Sequence, residues 1–200
     1  MSDVSPTRSA VLEMKDERRA MHEGYVFLDE KCLLLAGEIL RQLEQHARLQ
    51  REFSAVLEHA LARLQAAVAR HGLHELQVYP PTTPVQAPLE VAARSLMGVR
   101  LQQAPWSGHD ATAAIAALPS PEAEACRQAF AALLAAAAQL AAVSGNLERL
   151  SLEYRRSVRR ARALQDVMLP ELDHSIADIE GRLEELEQED AIWMRRGAGQ

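Results

Sequence analysis

Proline placement constrains this chain more than any other feature. After Pro6 there is no proline up to His71, whereas Pro80, Pro81, Pro84, Pro88, Pro105 and Pro119 crowd the middle of the sequence. An interior proline removes a helical hydrogen bond and clashes with the preceding turn. A long helix can therefore form only on either side of that cluster. Ser5-Pro6 reads as a helix start, with a capping hydroxyl followed by a pre-set first position. Gly72, after His71, reads as a left-handed cap at the other end. The interval is roughly 65 residues, or about 100 Å at 1.5 Å per residue. Ser120-Pro121-Glu122 repeats the start signal, with Glu122 and Glu124 placed to favour the helix dipole. The second helix is expected to reach about Arg196. Pro170 interrupts it, but the apolar pattern stays in step on both sides, which predicts a structural kink at Pro170 and not a break.

Composition supports the same reading. Hydrophobic residues make up 48% of the chain and aromatics only 4%. Compact domains usually fill their cores with large rings, whereas chains rich in Ala, Leu, Glu and Arg read as packed helices. A sandwich, barrel or doubly wound sheet is therefore disfavoured. The first helix carries apolar residues in steps of three and four: Tyr25, Leu28, Cys32, Leu35, Ile39, Leu43, His46, Leu49, Phe53, Val56, Ala60, Leu64 and Val68. The second carries Val143, Leu147, Leu150, Tyr154, Val158, Ala161, Leu164, Met168, Leu172, Ile176, Ile179, Leu183, Leu186 and Trp193. Both are heptad-like seams that need a partner. Two helices joined by a compact insert pair most simply as an antiparallel hairpin.

The predicted fold is thus all-α, a long antiparallel two-helix coiled coil (a rod) with a small hairpin or irregular insert at the connecting end. It divides into residues 1–72, an N-terminal helix; 73–119, the proline-containing insert; and 120–200, a C-terminal helix. In the insert, alternation around Leu89, Val91 and Ala93 suggests a strand, Met97-Gly98 a turn, and Val99 to Leu101 a second strand. Residues 109–118 are read as a possible short helix. Facing residue numbers should add to roughly 200, which keeps Cys32 and Cys126 too far apart for a disulfide.

Charge and motifs exclude most chemistry. The net charge is −6, unlike a dedicated nucleic-acid binder. Residues 1–8 lack the apolar core of a signal peptide. The uncharged run from Gln128 to Leu147 has the length of a membrane span but is mostly Ala, so direct membrane insertion is not expected. There is no phosphate-cradling Gly-Lys motif, no nucleophile elbow and no His-Glu-x-x-His. His71 and His74 are separated by a helix end and lack a third ligand, so no metal is expected. Neither a catalytic residue nor a cofactor is predicted. Two charged features remain. Arg155, Arg156, Arg159, Arg160 and Arg162 form either a solvated face with partners such as Asp166 or a docking surface for acid. Asp178 to Asp190 carries seven carboxylates and reads as a solvated face.

Three segments, in order, carry a family resemblance. Ser5-Pro6-Thr7-Arg8 with Leu12-Glu13-Met14-Lys15 resembles the start of the D subunit of V-type (V/A-type) rotary ATPases. Ser95-Leu96-Met97-Gly98-Val99 is similar to that family's central segment. Arg159-Arg160-Ala161-Arg162-Ala163-Leu164, then Val167-Met168-Leu169-Pro170, Ile176 and Ile179, resembles its C-terminal helix. After Lys31 the family usually has Arg-Asp, where this chain has Cys32-Leu33. The resemblance implies a non-catalytic central stalk component, a rotor that couples ATP hydrolysis or synthesis to proton or sodium transport. Its implied partners are the alternating A and B subunits of the catalytic ring, the F subunit of the central stalk, and a subunit connecting to the membrane rotor. It would be cytoplasmic and peripheral to the membrane. Residues expected to touch partners are Arg8, Lys15, Met97, Gly98, Arg155, Arg156, Arg159, Arg160 and Arg162. The alternative is a static cytosolic coiled-coil scaffold.

Overall fold

A computed structural model describes residues 7–76, 92–103 and 119–197. The chain is all-α, with two long antiparallel helical arms and a small strand hairpin. Helix α1 spans Arg8–Leu76, β1 Ala92–Leu96, β2 Val99–Gln103 and α2 Pro121–Ala163. A single π-helical turn, Leu164–Met168, joins α2 to α3, Leu169–Gly197. Leu89, Val91, Tyr79, Trp106 and residues 109–118 lie outside the described residues.

Capping explains where the arms begin. Ser120 caps α2 as its sequence suggests: its Oγ accepts the Ala123 N–H at 3.1 Å. At the start of α1 the Thr7 Oγ1 accepts the Ala10 N–H at 3.2 Å; Ser5 and Pro6 lie outside the described residues. The far end of α1 differs from expectation. Gly72 has φ 72° and ψ 160°, an extended mirror conformation that a side chain would strain. Helical bonding then resumes to Leu76, so Gly72 interrupts the helix without closing it.

The π-turn has a local cause. Pro170 has no N–H to give to the carbonyl four residues back, and its ring would crowd that carbonyl. The acceptor it displaces is Asp166, inside the π-turn. Widening this turn by one residue lets helical bonding pass the proline, and Leu169 N–H bonds to Leu164 O.

The chain divides into two compact units: Met1–Leu34 with Tyr154–Gln200, and Leu35–Glu153. In the first, Val11, Ile176 and Ile179 form a small core with Met14 and Leu183 against it. Arg8–Glu187 and Lys15–Glu180, each at 2.6 Å, and Arg18–Asp173 align the arms antiparallel. A side chain at Gly24 would meet Leu164 at 3.9 Å. Each of these pairs falls short of the expected number sum of about 200 from the helix ends.

In the second unit Leu35, Gln42 and Leu49 are buried at seven-residue steps on α1, as are Ala60 and Ala67. On α2 Val143 and Leu150 are buried one such step apart, and Ala129 two steps before Val143. That is the coiled-coil period. It corrects part of the seam read from the sequence: Gln42 is buried and Leu43 exposed. On the C-terminal arm, Met168, Leu186 and Trp193 are exposed, Trp193 at 74%. By length and composition alone the arm from Pro121 to Gly197 contains a window able to cross a membrane. Both cysteines are free thiols. Burial pushes both pKa values up, and nearby Asp29 adds to the effect at Cys32, so neither is primed as a thiolate.

Candidate functional site

The hairpin is the most closely built feature. Leu96 pairs with Val99 across Met97-Gly98, whose φ values are 48° and 84°. Two positive φ values are what a two-residue hairpin of right-handed twist demands. Gly accepts this freely; Met97 does not, and is held there by the strands. On β2, Val99 and Leu101 are buried while Arg100 and Gln102 are exposed, the alternation of a strand with one covered face.

Two side chains fasten the hairpin to the helices. Asn146 on α2 accepts the Gln102 N–H at 2.7 Å through Oδ1 and donates to the Gln102 O at 2.8 Å. Its amide thus imitates a third strand on the β2 edge. Arg149 adds contacts to Asn146 Oδ1 at 2.7 Å and Gln102 Oε1 at 3.2 Å. On α1 the Glu38 carboxylate accepts from Arg41, from Gln42 at 2.8 Å and from Arg94 of β1 at 2.6 Å. The Arg41 contact, aided by Gln42 and Arg94, holds its pKa below the ordinary carboxylate value against the cost of its burial. Sequence reading missed Glu38, Gln42, Asn146 and Arg149; Gln and Asn at seam positions are the signal that could have pointed to them.

Beside this mounting lies a cleft of about 310 Å³. Arg41, Arg48, Arg94, Gln139 and Asn146 are among its lining groups. Among the described residues its polar lining is of Arg, Gln and Asn side chains. Among the described residues no three His, Cys, Asp or Glu side chains gather as a metal site.

The residues expected to touch partners fall into three settings. Arg8 and Lys15 are tied within the chain to Glu187 and Glu180. Two carboxylates of the Asp178–Asp190 block therefore meet basic residues of α1 along an exposed edge. Met97 and Gly98 form the hairpin turn. Arg155, Arg156, Arg159, Arg160 and Arg162 are all exposed. None of the five has an ion-pair partner among the described residues, and Asp166, in the π-turn, pairs with none of them. Arg18, Arg41, Arg94 and Arg127, by contrast, each hold a carboxylate.

Comparison with known proteins matches this architecture along its length. The family model for the D subunit of ATP synthase matches residues 10–196. The D subunit of the V-type ATP synthase of Thermotoga neapolitana is 25% identical over 202 residues, covering 96% of each chain. The D subunit of the A-type ATP synthase of Pyrococcus horikoshii is 27% identical, covering 96% of this chain and 92% of its own. That of Methanopyrus kandleri is 25% identical, covering 98% and 86%. Two antiparallel helical arms, a strand hairpin and a match over nearly the whole chain lead to one conclusion: this chain belongs to the ATP synthase D-subunit family of V/A-type ATPases, and so to a multi-subunit, membrane-associated complex.

Proposed function

We propose that the chain is the central rotor shaft of its complex, a non-catalytic component that couples ATP turnover in a ring of A and B subunits to proton or sodium transport. The observation that carries this reading is the family match over residues 10–196. The physics suits it. Antiparallel arms sharing a heptad seam resist twisting, because turning one arm must shear the packing of the other. An asymmetric shaft touches the ring's sites differently at once, and differential contact energy is what shifts a conformational equilibrium. The ATP sites belong to partners on this reading.

The finer assignments follow from the same proposal. The paired ends of the arms enter the ring, and the other end, with the F subunit, leads towards the membrane rotor. Residues 1–72 and 120–200 serve as the two arms and 73–119 as the insert. The free guanidinium groups of Arg155, Arg156, Arg159, Arg160 and Arg162 meet acidic partner surface, and Met97 and Gly98 meet a partner at the turn. Pro170, relieved by the π-turn, bends the second arm. The location is cytoplasmic and peripheral to the membrane; Asn146, within the apolar run, is committed to the hairpin, which supports a protein-facing role there.

Co-expression with the A, B and F subunits tests the proposal. A stable complex whose ATPase turnover is coupled to ion transport only when this chain is present supports it. Failure of the chain to join the A–B ring overturns it.

A further inference from the structure

The back of α1 carries an apolar ridge that the described residues leave uncovered. Val26, Phe27, Leu33 and Leu34 are 43%, 56%, 69% and 50% exposed. Val26 and Leu33 are seven residues apart, as are Phe27 and Leu34. At 3.6 residues per turn the four share about a 120° sector. Gly24, which faces Leu164, and half-buried Leu28 and Cys32 lie on the other side of the helix. The ridge is therefore a second heptad seam, parallel to the one used internally. Single exposed apolar residues are ordinary, but here two apolar pairs, Val26 with Leu33 and Phe27 with Leu34, flank one acidic stripe, and exposed apolar area concentrated on one helix face marks an interaction surface.

Charge identifies what covers it. Glu23 and Glu30 run down the middle of the ridge at the same seven-residue spacing, and Asp29 flanks it. All three are exposed, and none has an ion-pair partner among the described residues. A carboxylate surrounded by apolar area is costly to desolvate unless a cation meets it. A two-turn ridge with heptad spacing is the shape onto which another helix packs.

We infer that the Val26–Leu34 face of α1 is a docking seam for an amphipathic helix of a partner subunit, whose apolar stripe is accompanied by Lys or Arg placed to meet Glu23 and Glu30. This rests on the reading of the chain as one component of a larger complex. The third helix covers the ridge for two turns and leaves the internal seam undisturbed.

The test uses the complex assembled with its A, B and F subunits, carrying a photo-crosslinking amino acid at position 27 or 34. The expected crosslinks fall on one helical segment of a partner subunit that has basic residues beside an apolar stripe. Phe27→Ser with Leu34→Ser should weaken association of that partner about tenfold. Glu30→Lys should weaken it about threefold, less so at high salt. Reversing the charge of the crosslinked basic residue should restore it. The melting curve of the isolated chain should not change, since these side chains are exposed. Crosslinks to a second copy of this chain, to an acidic or non-helical segment, or to nothing would overturn the inference, as would undiminished association of the variants. If the wild-type chain fails to enter any complex, the reading of it as a complex component falls first and this inference with it.

Discussion

The two compact units are built from the same helical arms, yet they are held together differently. In Leu35–Glu153, Leu35 and Leu150 are fully buried, and the hairpin is fastened by Glu38 from one helix and Asn146 from the other. In the unit formed by Met1–Leu34 and Tyr154–Gln200, Val11, Ile176 and Ile179 form a small core group, Ser157 and Ala161 are also buried, and exposed ion pairs line the edge. No residue of the π-turn is buried. Buried hydrogen bonds and close-packed Leu are costly to remove, whereas exposed ion pairs contribute little. One unit is thus specified by packing. The other is aligned by charge and leaves more of its surface for contact outside the chain.

Substitutions can break this contrast, beginning with the largest expected effect. Leu150→Ala should cost about 2–5 kcal/mol in denaturant unfolding, because Leu150 is fully buried and its loss leaves a cavity. A much smaller loss would show the Leu35–Glu153 unit to be loosely packed. Asn146→Ala should cost about 1–3 kcal/mol by orphaning the Gln102 N–H and C=O. Hydrogen exchange should then speed up in β1 and β2 and leave Arg8–Leu28 unaffected.

Glu38 offers a pH test. Its folded pKa is depressed, so the folded state binds fewer protons than the unfolded one. Its stabilisation is fully present above the ordinary carboxylate pKa and is lost as pH falls through the lower folded value. Unfolding of the wild type should therefore lose stability below about pH 4.5 more steeply than that of Glu38→Gln, which is already weakened at neutral pH. Equal acid slopes would remove Glu38 from the mounting. The smallest effect is expected from Lys15→Gln, whose partner Glu180 lies in solvent: its melting temperature should stay within error of wild type, at low and high salt alike. A clear drop would make the charged edge a structural element after all.

Particular residues show how far sequence pattern carried. Ser120-Pro121 and Met97-Gly98 were legible because capping and two-residue turns are local events, decided by a hydroxyl or by tolerance of positive φ. The seam was legible in period but not in phase. Leu43 outranks Gln42 in hydrophobicity, yet seven-residue steps from Leu35 to Leu49 fall on Gln42, and Glu38 is there to take its amide N–H. Trp193 fits the periodic pattern of its helix but lies beyond the small core at Ile176 and Ile179, where the described residues leave it uncovered. Glu38, Arg94, Asn146 and Gln102 could not be joined from sequence at all, since they are far apart in the chain and belong to different elements.

The sequence by itself determined that two long helices form, where the second begins, and that a tight turn sits at Met97-Gly98. Proline spacing, capping groups and heptad periodicity act through neighbours along the chain, so they can be read without knowing the fold. Only the tertiary structure decided which seam residues are buried, how the helices grip the hairpin, and which charges stay free. Those depend on which groups meet in space, and a polar side chain at a seam is held by the partners it finds there, as Gln42 is by Glu38 and Asn146 by Gln102.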